Sequence, residues 1–250
     1  MYIEITQDSV GIVESSNNTV QGIFTGGIQT CLIMGFKCED ATILVHDSGQ
    51  LDLTILLKIL GAYGEVQGVT VAFGPHIHGE HFDARLQTIL PNINLVGDIK
   101  QKQSELPTFA FKYNVNGDSE CIPDKYPNGV VAIPDKKLRM SCIELNNFFL
   151  EPKSQKLKPS IQYINSQYQE DFGLDYTIDE MLEILEKQPN FFFPNLAFLE
   201  KAHGLQLIKL PAELLDVAQT YNVSRFMFYP IGGQDLDLQK EEYRKMFEIA

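Results

Sequence analysis

Hydrophobic and polar positions alternate over short stretches in the first third of the chain and repeat at helical spacing only in a few places. Residues 2–6, 10–14 and 19–24 are rich in β-branched and aromatic side chains and are separated by Asp, Ser and Asn, which predicts three short strands. Thr25-Gly26-Gly27 then reads as a flexible turn. Residues 30–36 and 41–46 are two apolar runs around the polar link Lys37-Cys38-Glu39-Asp40, the pattern of a β-hairpin. Residues 51–63 carry apolar positions at i, i+3 and i+4 and stop at Gly64, which predicts a helix. A strand over 66–73, closed by Gly74-Pro75, and a helix over 79–90, stopped by Pro91, follow. Further strands are expected at 94–96, 109–115 and 130–133.

The stretch 116–160 is rich in Pro, Asn, Asp and Lys and reads as loops with short strands. The remainder is more helical. A Thr177-x-x-Glu180 capping box opens a helix over 177–188, with further helices at 212–221 and 239–249 and strands at 206–210 and 225–229. Nothing repeats and no stretch is of low complexity. One domain over 1–250 is expected, with a catalytic core over about 1–115 and a C-terminal helical part over about 170–250. A boundary near 155–175 is the alternative.

Charge narrows the partners. The 250 residues carry a net charge of −13, so phosphate backbones and anionic membrane surfaces are repelled. Neither nucleic acid nor a membrane is expected as a partner. The four cysteines include no CxxC pair and are too few for a disulfide framework. Reduced thiols and a cytoplasmic setting are expected, with export lacking a cleaved leader left open.

The chemistry is expected on the hairpin. A four-residue connection at 37–40 puts Cys31 directly opposite His46 on one face, with Cβ atoms roughly 4.5–5.5 Å apart. A slip of two residues leaves them diagonal on the same face, and a slip of one separates them. A thiol beside an imidazole is the arrangement that nucleophilic cysteine chemistry uses. The glycines after Thr25 let backbone N–H groups approach the reacting carbon as an oxyanion site. The bland alternative is a core cysteine and a histidine closing its strand.

Thr25-Gly26-Gly27-Ile28-Gln29-Thr30-Cys31 with a downstream His46 resembles the site of the chemoreceptor glutamine deamidases. The pattern Thr30-Cys31-Leu32-Ile33-Met34, then Leu44-Val45-His46-Asp47-Ser48-Gly49, is closer still to the protein N-terminal asparagine amidohydrolases. The opening Met1-Tyr2-Ile3 and the run 69–74 fit as well, so the resemblance covers about residues 1–100. It departs at Asp47 and Ser48, where that family has Cys and Asp, and at Leu32, where it has a polar residue. These departures leave the substrate open.

The resemblance implies an α/β fold of the α+β kind, with mixed, largely antiparallel sheets flanked by helices in a deamidase-like sandwich. It implies hydrolysis of a side-chain carboxamide in a protein or peptide bearing Asn or Gln, N-terminal Asn foremost, through a thioester and without a cofactor. Cys31 would be the nucleophile, His46 the base and Thr25 its orienting partner. Gly27, Gln29, Thr30, Asp47 and Ser48 would surround the substrate and its oxyanion.

Three other readings compete: a transglutaminase, an inactive binding module of the same fold, and a metal-binding protein. The last rests on His76, His78 and His81, followed by Asp83. A metal site needs convergent ligands with supporting partners, and surface loop histidines explain the cluster more simply. No metal is therefore expected.

Overall fold

The computed structural model describes residues 1–75, 79–149, 156–171, 203, 204 and 209. The chain divides into two compact units, Met1–Ile143 with Leu150–Gly173, and Glu144–Phe149 with Leu174–Ala250. The first holds nearly all the described residues. The helices expected at 177–188, 212–221 and 239–249 and the strands at 206–210 and 225–229 lie outside them.

The first unit is a mixed α/β fold with two sheets. Its strands are β1 (Tyr2–Glu4), β2 (Ser9–Glu14), β3 (Gly22–Ile28), β4 (Leu32–Cys38), β5 (Ala41–Asp47), β6 (Val66–Phe73), β7 (Leu95–Gln103), β8 (Phe109–Asn114), β9 (Ser119–Pro123), β10 (Val130–Val131), β11 (Ser160–Ile164) and β12 (Gln167–Tyr168). The helices are α1 (Leu53–Gly61), α2 (Gly79–Ile89) and α3 (Lys136–Phe149), the last belonging to this unit as far as Ile143. One sheet runs β10-β1-β3-β8-β9 and the other β12-β11-β2-β5-β4-β6-β7. Both mix parallel and antiparallel pairs.

Strand alternation builds two separate cores. Odd positions of β4 and even positions of β5 turn one way, so Ile33 and Leu44 meet Ile3, Ile23, Phe109 and Tyr113 of the smaller sheet. Leu32, Met34, Ile43 and Val45 turn the other way and pack on Leu56 and Leu60 of α1 and Leu86 and Ile89 of α2. Gly35 makes the first interface close. The Tyr113 ring lies where a Cβ would sit at 2.7 Å, so even alanine displaces the aromatic packing there.

The hairpin is tighter than expected. Leu32 pairs with Asp47, Ile33 with His46 and Lys37 with Thr42, so only Glu39 and Asp40 form the turn. Thr25-Gly26-Gly27 is not a turn either. It lies inside β3, where the register against β8 shifts between Thr25 and Ile28. Gly27 has φ +69, the backbone conformation that a bulge asks of glycine. The segment 116–160, expected as loops with short strands, contains the short strands β9 and β10 and also the 14-residue α3. Its Lys, Ser, Cys and Asn content hides a helix whose Cys142 and Ile143 are nonetheless buried. Among the described residues no helix is long and apolar enough to cross a membrane.

Candidate functional site

The chain crosses from the smaller sheet to the larger one at residues 29–31, between the end of β3 and the start of β4. Cys31 is the last residue of that crossing. It is 7% exposed and packs in the apolar cluster between the sheets. His46 comes from the neighbouring strand β5 and turns toward the same interior, two positions on from Leu44.

The observed register does not set Cys31 opposite His46. Ile33 takes that place, and Cys31, two residues before it, is the diagonal neighbour on the same face. Such diagonals lie about 7–8 Å apart, within reach of longer side chains. No hydrogen bond joins the two groups. The Cys31 thiol points instead at Gln7 Oε1, 3.9 Å away.

Thr25 reaches His46 from the other sheet. Its Oγ1 lies 2.7 Å from His46 Nδ1, in the interior. If Nδ1–H donates to the threonine oxygen, Nε2 carries the lone pair and is the basic nitrogen. Nε2 is buried and has no hydrogen-bond partner among the described residues. Burial, with the charge of Lys136 adding to it, pulls the imidazole pKa down to about 3. The free imidazole is therefore neutral throughout the physiological range. Burial also raises the Cys31 thiol to about 12, with Asp8 and Asp47 contributing in the same direction. The two groups thus rest as a protonated thiol and a neutral imidazole, without a preformed thiolate.

A cavity of about 260 Å³ opens beside the imidazole. His46, Gln7, Glu4, Asp124, Tyr126 and Lys136 bring polar groups to its wall. Gln7 connects the cavity to the thiol. Its Nε2 donates to Asp8 Oδ2 at 3.1 Å, which turns Oε1 toward Cys31. Asp8 is itself buried, has φ +54, and accepts the Ser48 N–H at 2.9 Å.

The remaining expected site residues divide. Gly27 lines the cavity, but its N–H donates to Asp124 Oδ1 at 2.9 Å and so does not serve as an oxyanion donor. Gln29 and Thr30 are exposed, and the Gln29 amide bonds Thr108. Asp47 follows His46 and so turns to the opposite face. It accepts from Gly49 N–H and Leu51 N–H and pairs with Arg85, a structural clamp on the end of β5. Ser48 ties that end to Asp8. His76 and His78 lie outside the described residues, and of His81 only its place in α2 is described. Among the described residues no cluster of His, Cys, Asp and Glu could hold a metal.

Glu4, Gln7, Asp8, Asp124 and Lys136 were not apparent from the sequence. They come from β1, the turn after it, the residue after β9 and a distant helix start, and no local spacing links them. The sequence matches no known family model, and no curated protein is significantly similar to it.

Gln7 lies between the thiol and the cavity, so its removal has a direct readout. Gln7→Ala is expected to speed alkylation of Cys31 by iodoacetamide roughly tenfold at neutral pH, because a thiol's reactivity depends on access as well as on thiolate fraction. An unchanged rate, measured by mass spectrometry on intact protein, would remove Gln7 from the path.

Proposed function

We propose that the chain is a cysteine-dependent amidohydrolase that deamidates a side-chain carboxamide in a protein or peptide, with N-terminal asparagine as the first candidate. The observation that carries this reading is the buried imidazole of His46. One nitrogen is held by Thr25 and the other, without a partner among the described residues, is beside a polar cavity. A buried ring nitrogen without a partner is costly in a structural role and useful in a base. The contact between Cys31 and Gln7 adds support, since the thiol already has a primary carboxamide against it.

In this reading the substrate carboxamide enters from the cavity and takes the place of the Gln7 amide. The Cys31 proton passes to His46 Nε2 as the bond from Sγ to the amide carbon forms, and the carbonyl π pair moves onto oxygen. Collapse of that intermediate re-forms the carbonyl and breaks the carbon–nitrogen bond. His46 returns the proton to the leaving nitrogen, and ammonia departs. Water, activated by His46, then hydrolyses the thioester to a carboxylate and restores the thiol. The high thiol pKa makes proton transfer part of the attack, so His46 acts as a general base toward a thiol and not as the partner of a standing ion pair.

The decisive assay is ammonia release from peptides with N-terminal Asn, N-terminal Gln, internal Asn and internal Gln. Release from one class, with stoichiometric appearance of the acid, supports the reading and names the substrate. Silence from all four, together with silence toward folded proteins, turns the assignment to a binding module. The burial of Cys31 is the observation that favours this second reading. Amine incorporation without net hydrolysis would make the chain a transferase instead.

A further inference from the structure

The oxyanion has no assigned donor on the Gly27 side, because that N–H is bonded to Asp124. The cavity offers another. Lys136 opens α3, and its Nζ donates to Glu4 Oε1 at 2.5 Å and to Tyr126 Oη at 2.8 Å. An ammonium has three N–H donors. Two are committed, and among the described residues the third has no partner. The side chain lines the same cavity as His46.

Glu4 fixes the ammonium in place. Its carboxylate is 1% exposed and also receives the Ile133 N–H at 3.0 Å and the Tyr126 hydroxyl. A lysine held by a buried carboxylate and a phenol loses little further freedom when it binds a ligand, which is the property a preorganised electrostatic donor needs. The Lys136 side chain is 45% exposed, so it is the anchor and not burial that distinguishes it from Lys125, which also lines the cavity but has no such carboxylate among the described residues.

We propose that Lys136 holds the carbonyl oxygen of the substrate's carboxamide and holds it more tightly as that oxygen becomes anionic, so that the cavity prefers a carboxylate or oxyanion to a neutral group. The identity of the ligand rests on the deamidase reading, but the binding itself requires no turnover. Burial keeps His46 neutral in the first place, and the charge of Lys136 adds to that by disfavouring a second cation in the same cavity.

The test uses a peptide with N-terminal aspartate, the expected product, and a matched peptide with alanine at that position. Binding is followed by calorimetry and by the ring signals of His46 in NMR spectra. Wild type and Lys136→Arg are expected to bind the aspartyl peptide at least about tenfold more tightly than the alanyl one, as charge-assisted hydrogen bonding requires. Lys136→Met is expected to lose that difference. The double variant Glu4→Gln/Lys136→Met, which leaves no buried carboxylate unpaired, provides the same comparison should the single variant fold poorly. Equal preference in wild type and the methionine variants, or no effect of the aspartyl peptide on His46, overturns the proposal. Ammonia release is scored separately. Lys136-dependent binding without release removes the deamidase reading alone, and release without Lys136-dependent binding removes this inference alone.

Discussion

Replacing Cys31 by alanine is expected to abolish ammonia release from the reactive peptide, and replacing His46 by alanine to do nearly the same. Each loss is expected to be at least about a thousandfold in kcat, because a nucleophile and its base act as a unit and the remaining site contributes little alone. Cys31→Ser is expected to be almost as inactive. The buried thiol, at about 12, is already difficult to ionise, and an alcohol is harder still. Thr25→Val removes the hydrogen bond to Nδ1 and leaves the ring free to turn, so kcat should fall while KM changes little. The pH profile separates this chemistry from an ordinary cysteine–histidine pair. The free-enzyme imidazole stays unprotonated down to about 3, against an ordinary value of 6.5. The base is therefore available across the acidic range, and kcat/KM should not decline near pH 6.5. A decline there would mean that His46 is more solvated than the structure has it. Full activity in Cys31→Ala would end the assignment of Cys31 as the nucleophile outright.

The sequence indicated the hairpin strongly and its register only partly. Two apolar β-branched runs around a polar link define the pairing of β4 with β5, yet nothing local distinguishes a four-residue turn from a two-residue one. The difference moves Cys31 from opposite His46 to diagonal. The two arrangements share a face because the shift is even, so Cys31 and His46 still turn the same way, although the thiol contacts Gln7 and not the imidazole. Thr25 was legible as a partner of His46 through the family resemblance alone, since the contact crosses from one sheet to the other. Gly26-Gly27 was misread because a glycine pair signals a turn and a bulge alike. Helix α3 was not legible because its composition is polar and it lies in a stretch whose Pro, Asn, Asp and Lys content signals loop. Glu4 on β1 illustrates the remaining limit. In the sequence it is one polar residue in an alternating strand, and only the return of the chain at Tyr126, Ile133 and Lys136 makes it the anchor of a cavity.

Arg85→Leu is expected to destabilise the fold by about 3–5 kcal/mol, the range for removing one partner of a buried ion pair. The Arg85 side chain is 17% exposed and the Asp47 side chain 0%, so the two partners are not equivalent. Without the guanidinium, the carboxylate remains buried with only the Gly49 and Leu51 N–H groups to stabilise its charge. Arg85 also donates to the Gly49 and Leu51 carbonyls at 3.0 Å, so the turn after β5 loses its tie to α2. The pH dependence follows from the Asp47 carboxyl. Burial raises its pKa above the ordinary 3.8, and Arg85 opposes that rise. Removing Arg85 lets it rise further. A carboxyl whose folded pKa exceeds its unfolded value favours folding below the unfolded value and loses that contribution as pH increases through the folded value. The variant should therefore be farthest from wild type at neutral pH and approach it on acidification toward about pH 4. Urea unfolding at a series of pH values measures the gap directly. A gap that stays constant would mean that Asp47 reaches water once Arg85 is gone. Because Asp47 follows His46 on β5, the same variant should also lose turnover without touching the cavity, and peptide binding at Lys136 should persist in the fraction that remains folded.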